Sequence, residues 1–212
     1  MRLVLASSSP ARLQTLRRAG VVPAVRAPAV DEEEVTAPDT AALVATLAEL
    51  KGEAVLAELD TGDDLVVVAC DSLLDVDGHG WGKPADAAEA GRRWRLLRGR
   101  SAVLLTGHHV VVVRDGAVTR ADQVVRTTVH FADVSDAEVD AYVATGEPLA
   151  VAGAFTIDGY GAPFIERIEG DHLNVIGISL PVLRHLLAGL GVAWTDLWGD
   201  HAAAPVSWSR HD

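Results

Sequence analysis

Leu65-Val66-Val67-Val68-Ala69-Cys70 is an unbroken apolar run, and it constrains the fold more than any other stretch of the chain. A strand without a polar side leaves neither face for water, so helices must cover the sheet above and below it. The expected class is α/β. The run stops at Asp71-Ser72. Ligands and catalytic groups of open α/β sheets collect at the C-terminal ends of such strands, which makes Asp71 the first candidate for chemistry. A turn or cap aspartate is the plainer alternative.

A second apolar strand, Leu3-Val4-Leu5-Ala6, runs directly into Ser7-Ser8-Ser9-Pro10, with Arg12 close behind. Serine as N-cap followed by proline at the first helical position starts a helix at Pro10. The free N–H groups and positive dipole end of that helix face the serine loop, whose hydroxyls add donors, and Arg12 places a charge in the first turn. This is an anion-binding elbow, and phosphate is its natural ligand. Capping alone, with Arg12 solvated, would need no ligand.

With 212 residues and 49% hydrophobic residues, at a mean hydropathy of +0.21, the chain can bury a sizeable core. Residues 1–194 read as one two-lobed domain and residues 195–212 as a loosely held tail, since no low-complexity linker divides them. The net charge of −12 argues against binding a nucleic acid polymer or an anionic membrane, because either needs a basic surface to displace counterions. A small anion can still bind where a few basic residues converge, with a divalent cation offsetting nearby carboxylates. Cys70 is the single cysteine, which excludes a disulfide framework and a cysteine zinc cluster. The apolar start is too short for a signal peptide and no segment reaches bilayer length, so a cytoplasmic location is expected.

In chain order, an amphipathic helix runs from Pro10 to Gly20 and a short extended segment from Pro23 to Pro28. The acidic run Asp31 to Glu34 precedes a helix over residues 40–59. Such runs usually face water, but a carboxylate placed opposite the serine loop could help hold a divalent metal. Lys51 lies inside the apolar pattern of that helix, where snorkelling is the ordinary explanation. Asp75 to Pro84 reads as a hairpin or flexible loop delivering Lys83, held extended by Pro84. It is not a Walker loop, which would need glycine at Asp77 and Ser or Thr at Pro84. A helix spans residues 86–98, and residues 103–113 and 117–131 form a long antiparallel hairpin about Arg114-Asp115-Gly116. His108 and His109 fall on opposite faces of its first strand, a structural placement. Ser135 and Glu138 make a capping box for a helix to Thr145. Ala152 to Gly159 reads as a small-residue loop entering a strand, and a last helix runs from Ser179 through Leu190.

These residues together resemble the Maf septum-formation proteins. The resemblance covers residue 2 to about residue 192. It rests on Leu5-Ala-Ser-Ser-Ser-Pro10 with Arg12, Asp31-Glu32, Leu47-Ala48 with Lys51, Asp71-Ser72, Gly82-Lys83-Pro84, Thr106-Gly107, Gly146-Glu147-Pro148, Ala152-Gly153-Ala154-Phe155 and Asn174-Val175-Ile176-Gly177. The pattern looks like the actinobacterial branch. It implies an elongated mixed twisted sheet flanked by helices, with two lobes and a central cleft, similar to inosine triphosphate pyrophosphatase. The implied reaction is hydrolysis of a nucleoside triphosphate to monophosphate and pyrophosphate with Mg²⁺ or Mn²⁺. A homodimer is a possible assembly.

Under the resemblance, Asp71 is the proton acceptor, Glu32 and Asp71 serve the metal, and Ser7, Ser8, Arg12, Lys51, Ser72, Lys83 and Asp158 bind substrate. The dTTP/UTP-hydrolysing subgroup typically has Arg, Thr and Gln where this chain has Ala11, Ser72 and Asp158. The 7-methyl-GTP subgroup typically has an aromatic residue before the arginine, which Ala11 replaces, and an acidic residue near Asp158. The chain fits neither pattern in full. A non-catalytic nucleotide-binding regulator of septum formation and a phosphomonoesterase releasing orthophosphate are the alternative functions.

Overall fold

The structure, a computed structural model, describes residues 1–32, 34–60 and 62–198. Strand β1 (Arg2–Ala6) pairs in parallel with β2 (Ala24–Arg26) and with β3 (Leu65–Val76). Beyond β3 the sheet is antiparallel: β5 (Ser101–Arg114), β6 (Ala117–Phe131) and β7 (Ile165–Glu169) follow in turn, and short β4 (His79–Trp81) also pairs with β3. Among the described residues the seven strands form one mixed sheet in the order β2-β1-β3-β5-β6-β7, with β4 beside β3. No helix among them is long and apolar enough to cross a membrane.

The pleat of β3 divides its side chains between two helix layers. Val66, Val68 and Cys70 join Leu3 and Leu5 on the face packed with Leu16 of α1 (Pro10–Arg18) and with Leu183 and Leu187 of α6 (Leu180–Gly189). Leu65, Val67 and Ala69 point the other way, with Val4 and Ala6, onto Val55 and Leu56 of α2 (Thr40–Ala57). All six residues from Leu65 to Cys70 are fully buried, as a strand covered on both faces must be. Helix α2 lies very close to the sheet. A Cβ on Gly107 would sit 2.1 Å from the Val44 carbonyl oxygen, and one on Gly52 would sit 2.4 Å from the His109 ring.

The other end of the sheet carries a separate core, in which α3 (Ala87–Leu97) and α4 (Asp136–Ala144) pack on Leu74, Val76, Phe131 and Phe155. Trp94 is its centre. It meets Phe131, Tyr142 and Phe164 edge to face at 5.6, 5.2 and 5.9 Å, a geometry that adds about 0.5–1.5 kcal/mol per pair beyond area burial. The two clusters on opposite faces of the first end make one lobe, and this third cluster makes the other.

The strand ending expected at Asp71 does not occur there, for β3 continues to Val76 because β5 pairs with it from Leu65 through Asp75. What ends is its partner on the opposite edge. Parallel pairing with β1 stops at Ala69, and on that same side β4 takes over only at Leu74. Cys70 to Leu73 therefore line a notch in the sheet. The loop Ala152 to Gly159 also departs from expectation: it forms 3-10 turns instead of entering a strand, with Gly153 and Ala154 both at positive φ. Residues 195–198, assigned from sequence to the loose tail, pack instead. Trp194–Leu197 form a 3-10 turn with Leu197 buried, and the Trp198 indole donates to the Ala19 carbonyl. The remainder of the expected tail, residues 199–212, lies outside the described residues.

Candidate active site

The notch gathers two loops. Ser7 and Ser8 leave β1 at one border, Gly82 and Lys83 leave β4 at the other, and Asp71 and Ser72 lie between them. The result is a cleft of about 600 Å³ between the lobes, lined by Ser7, Ser8, Arg12, Glu32, Lys51, Asp71, Ser72, Lys83 and Asp158. All nine residues singled out from the sequence thus meet in one place. Arg12, Lys51 and Lys83 balance Glu32, Asp71 and Asp158 in this lining, so the cleft is locally neutral on a protein whose net charge is −12. A polyanion can enter it.

Because side chains alternate along a strand, Asp71 projects to the α2 face and Ser72 to the α1 face. Asp71 Oδ1 accepts from Lys51 Nζ at 2.5 Å, and the same ammonium lies 2.8 Å from Glu32 Oε1. The Lys51 and Asp71 side chains are each only 10% exposed. Lys51 is therefore not snorkelling; its charge is held between two carboxylates. Cys70, next in the strand, is inert, since burial raises its thiol to about 11.

On the α1 face, Arg12 is a fastened group. Its Nε donates to the Gly177 carbonyl at 2.8 Å, Nη1 to Ser7 Oγ at 3.2 Å and Nη2 to Ser72 Oγ at 3.0 Å. Ser72 Oγ in turn lies 2.9 Å from Thr106 Oγ1, whose hydroxyl donates to the Asn174 carbonyl at 3.1 Å. The directions are then fixed: Thr106 donates to Asn174, Ser72 donates to Thr106, and Ser72 accepts from Arg12. Two of the five guanidinium N–H donors remain for a ligand. Ser9 caps α1 by accepting from the Arg12 backbone N–H, and Ser7 Oγ accepts from the Ser9 N–H at 3.1 Å. Exposed Ser8 is left at the mouth of the elbow.

Lys83 is exposed and has no hydrogen bond or ion pair among the described residues, but the backbone before it is anchored. The Gly82 carbonyl accepts from Arg93 Nη1 at 2.6 Å and from the Gly153 N–H at 3.1 Å. Arg93 is itself held by Glu89 and lies over the Trp81 ring, 5.2 Å from its centroid. Two cleft loops are thereby tied to one oxygen.

A family model described as Maf-like protein matches residues 2–190. The chain belongs to the Maf-like family. Among its curated relatives, a nucleoside triphosphate pyrophosphatase of Salinispora tropica is 55% identical, covering 93% of this chain and 88% of its own. Relatives of that same name from Streptomyces coelicolor (55% identical, 93% and 94% covered) and Saccharopolyspora erythraea (52% identical, 96% and 100% covered) are likewise actinobacterial. A solved nucleoside-triphosphatase of Mycobacterium abscessus, described as a dITP/XTP pyrophosphatase, is 17% identical with a TM-score of 0.40, covering 90% of this chain and 94% of its own. That likeness is too slight to carry anything to this chain.

In this Maf-like chain the sequence does not reveal the roles of the residues that hold the site together. Thr106 and the Gly177 and Asn174 carbonyls steady Arg12 from remote segments, and Gly107 lets α2 approach. Their motifs are visible in the sequence, but a hydroxyl or carbonyl that acts on another side chain has no signature in spacing. Among the described residues no group of three or more His, Cys, Asp or Glu could hold a metal by itself.

Proposed function

We propose that this chain hydrolyses nucleoside triphosphates to the monophosphate and pyrophosphate. The observation that carries the reading is the Lys51 ammonium held between Asp71 and Glu32, in the cleft that also contains the serine elbow and Lys83. Acid, lysines and anion-binding loop are the parts that phosphoanhydride hydrolysis needs. The curated relatives' name, over nearly the whole chain, supports the same reading.

Mechanistically, the Ser7-Ser8 elbow and the spare donors of Arg12 bind phosphate oxygens. Lys83 and Lys51 offset their charge. Asp71 Oδ1 is engaged by Lys51, while Oδ2 has no partner among the described residues and is the atom left to take a proton. A water oriented there attacks the α-phosphorus: the new P–O bond forms, the α–β bridging bond breaks, and pyrophosphate leaves with the bridging electrons. Lysine charge steadies that leaving group. Glu32 and Asp71, both bonded to the Lys51 ammonium, are hard oxygen donors of the kind that holds Mg²⁺ through one or two carboxylates plus substrate phosphates, and they would hold such an ion. When bound, such an ion would neutralise phosphate charge.

A panel of nucleoside triphosphates, scored separately for pyrophosphate and orthophosphate, tests the reading. Pyrophosphate and monophosphate in equal amounts are expected. Orthophosphate as the first product would make the protein a phosphomonoesterase, and tight binding without turnover would make it a regulator.

A further inference from the structure

The segment Thr156 to Gly161 brings Ile157 and Asp158 to the cleft, yet it lies outside every helix and strand and has no sheet partner to hold it. It is wrapped around one side chain instead. Glu147 Oε1 accepts from Thr156 Oγ1 at 2.5 Å, from the Tyr142 hydroxyl at 3.0 Å and from the Gly161 N–H at 3.0 Å, and Oε2 accepts from the Tyr160 N–H at 2.9 Å. The anchors fall on both sides of Asp158, which is exposed and has no hydrogen bond or ion pair among the described residues. Gly159 is needed for the wrap, since a Cβ there would lie 2.2 Å from Glu147 Oε2. The Tyr142 ring is buried edge-on against Trp94 at 5.2 Å, so the carboxylate is referenced to the aromatic core of the second lobe. Burial works against the charge of Glu147, but the bonds from Thr156, Tyr160, Gly161 and Tyr142 outweigh it and hold the carboxyl below its ordinary range.

We propose that Glu147 is a positioning residue for base selection, a carboxylate that touches no substrate but fixes where Asp158 meets the nucleobase. This rests on the reading of the cleft as a nucleoside triphosphate site, with the phosphates at the elbow and Lys83 and the base toward Asp158. Four donors converging on one carboxylate set the loop in a single conformation, and a carboxylate that can only accept selects base edges that donate. Glu147→Gln keeps the volume and one acceptor oxygen. With that oxygen at the Oε1 position, the new NH₂ group meets the Tyr160 N–H, donor against donor, and the loop loses its fixed register.

The experiment compares wild type, Glu147→Gln and Asp158→Gln on a panel of ATP, GTP, CTP, UTP, dTTP and ITP, together with hydrogen exchange of residues 155–161. Glu147→Gln is expected to remain folded, to raise amide exchange at Tyr160 and Gly161 by tenfold or more, and to compress the spread of kcat/KM across the panel by about tenfold. The compression should come through KM, with kcat on the best substrate within about threefold of wild type. A uniform fall in kcat on every base would reduce Glu147 to a general structural role and overturn the proposal. An unchanged spread in Glu147→Gln, with an altered one in Asp158→Gln, would overturn the proposal alone. An unchanged spread in Asp158→Gln would remove the base-reading assignment beneath it and overturn both.

Discussion

Lys51 on α2 and Asp71 on β3 are joined by a 2.5 Å contact with both side chains about nine-tenths buried. An ammonium in that position fixes one carboxylate oxygen of Asp71 in a cleft whose cationic and carboxylate side chains balance. Lys51→Met keeps the apolar stem and drops the charge, leaving Asp71 buried without its partner. Breaking a buried pair on one side destabilises more than the pair contributes. The variant should lose about 3–5 kcal/mol in urea unfolding and at least about 100-fold in kcat/KM. Wild-type stability with normal turnover would show that Lys51 serves neither the fold nor the reaction.

The approach of α2 to the sheet is set at Gly107, opposite Asp71 in the β3–β5 register. A methyl there would lie 2.1 Å from the Val44 carbonyl oxygen, which is backbone and cannot turn aside. Gly107→Ala must lift α2, and Lys51 with it. A loss of about 1–3 kcal/mol is expected from overpacking, with a fall in kcat/KM beyond what the unfolded fraction explains. Gly189→Ala is the control, because nothing lies within 4 Å of its added methyl and its φ is ordinary. It should be neutral or stabilising by up to about 1 kcal/mol. The two variants, compared by thermal unfolding and by kinetics, separate close approach from glycine content.

Polar residues in apolar surroundings were the legible part of this site. Asp71 after six apolar residues, Lys51 inside a helical stripe and the serines after a strand each break a pattern, and a broken pattern is visible in one sequence. The notch was not visible, because it depends on where β1 and β4 stop pairing with β3, a tertiary fact. Asp71 reads as a strand end because the apolar run stops there, just past Ala69 where pairing with β1 ends, while the strand itself is carried on by β5. Glu147 was legible as part of a motif but not as a hub, since its four donors lie up to 14 residues away.

Buried His108 makes stability depend on acid. Its Nε2 accepts from the Ser179 N–H at 2.8 Å and its Nδ1 lies 3.1 Å from the Thr106 carbonyl, so the neutral ring with hydrogen on Nδ1 satisfies both neighbours. Burial lowers its pKa from 6.5 to about 4. Between those values the unfolded chain holds a proton that the folded ring does not, so stability falls as pH falls from 6.5 towards 4. Each pH unit of that span costs about 1.4 kcal/mol, for a total of about 3 kcal/mol from this group. Urea unfolding at intervals from pH 7 to pH 4 should show the decline, and His108→Gln should remove about one proton from its slope. An unchanged slope would place the acid sensitivity elsewhere.

Asp71→Asn tests the acid itself. The amide conserves volume and offers an oxygen to Lys51 Nζ, so packing around the 2.5 Å contact is expected to persist. What disappears is the anion. Because Lys51 keeps Glu32 at 2.8 Å as a charged partner, the variant should be less damaged than Lys51→Met, and the double variant Lys51→Met/Asp71→Asn should recover part of that variant's lost stability without recovering turnover. Nucleotide binding should survive, while pyrophosphate release falls by roughly 10²–10⁴-fold, the range for loss of a general base. Titrating Mn²⁺ in the presence of nucleotide separates proton transfer from ligation. Unchanged metal affinity with lost turnover assigns Asp71 to the proton, whereas weakened affinity rescued by excess metal assigns it to the ion. Full activity at ordinary metal concentration would exclude both roles and move the chemistry to another group in the cleft.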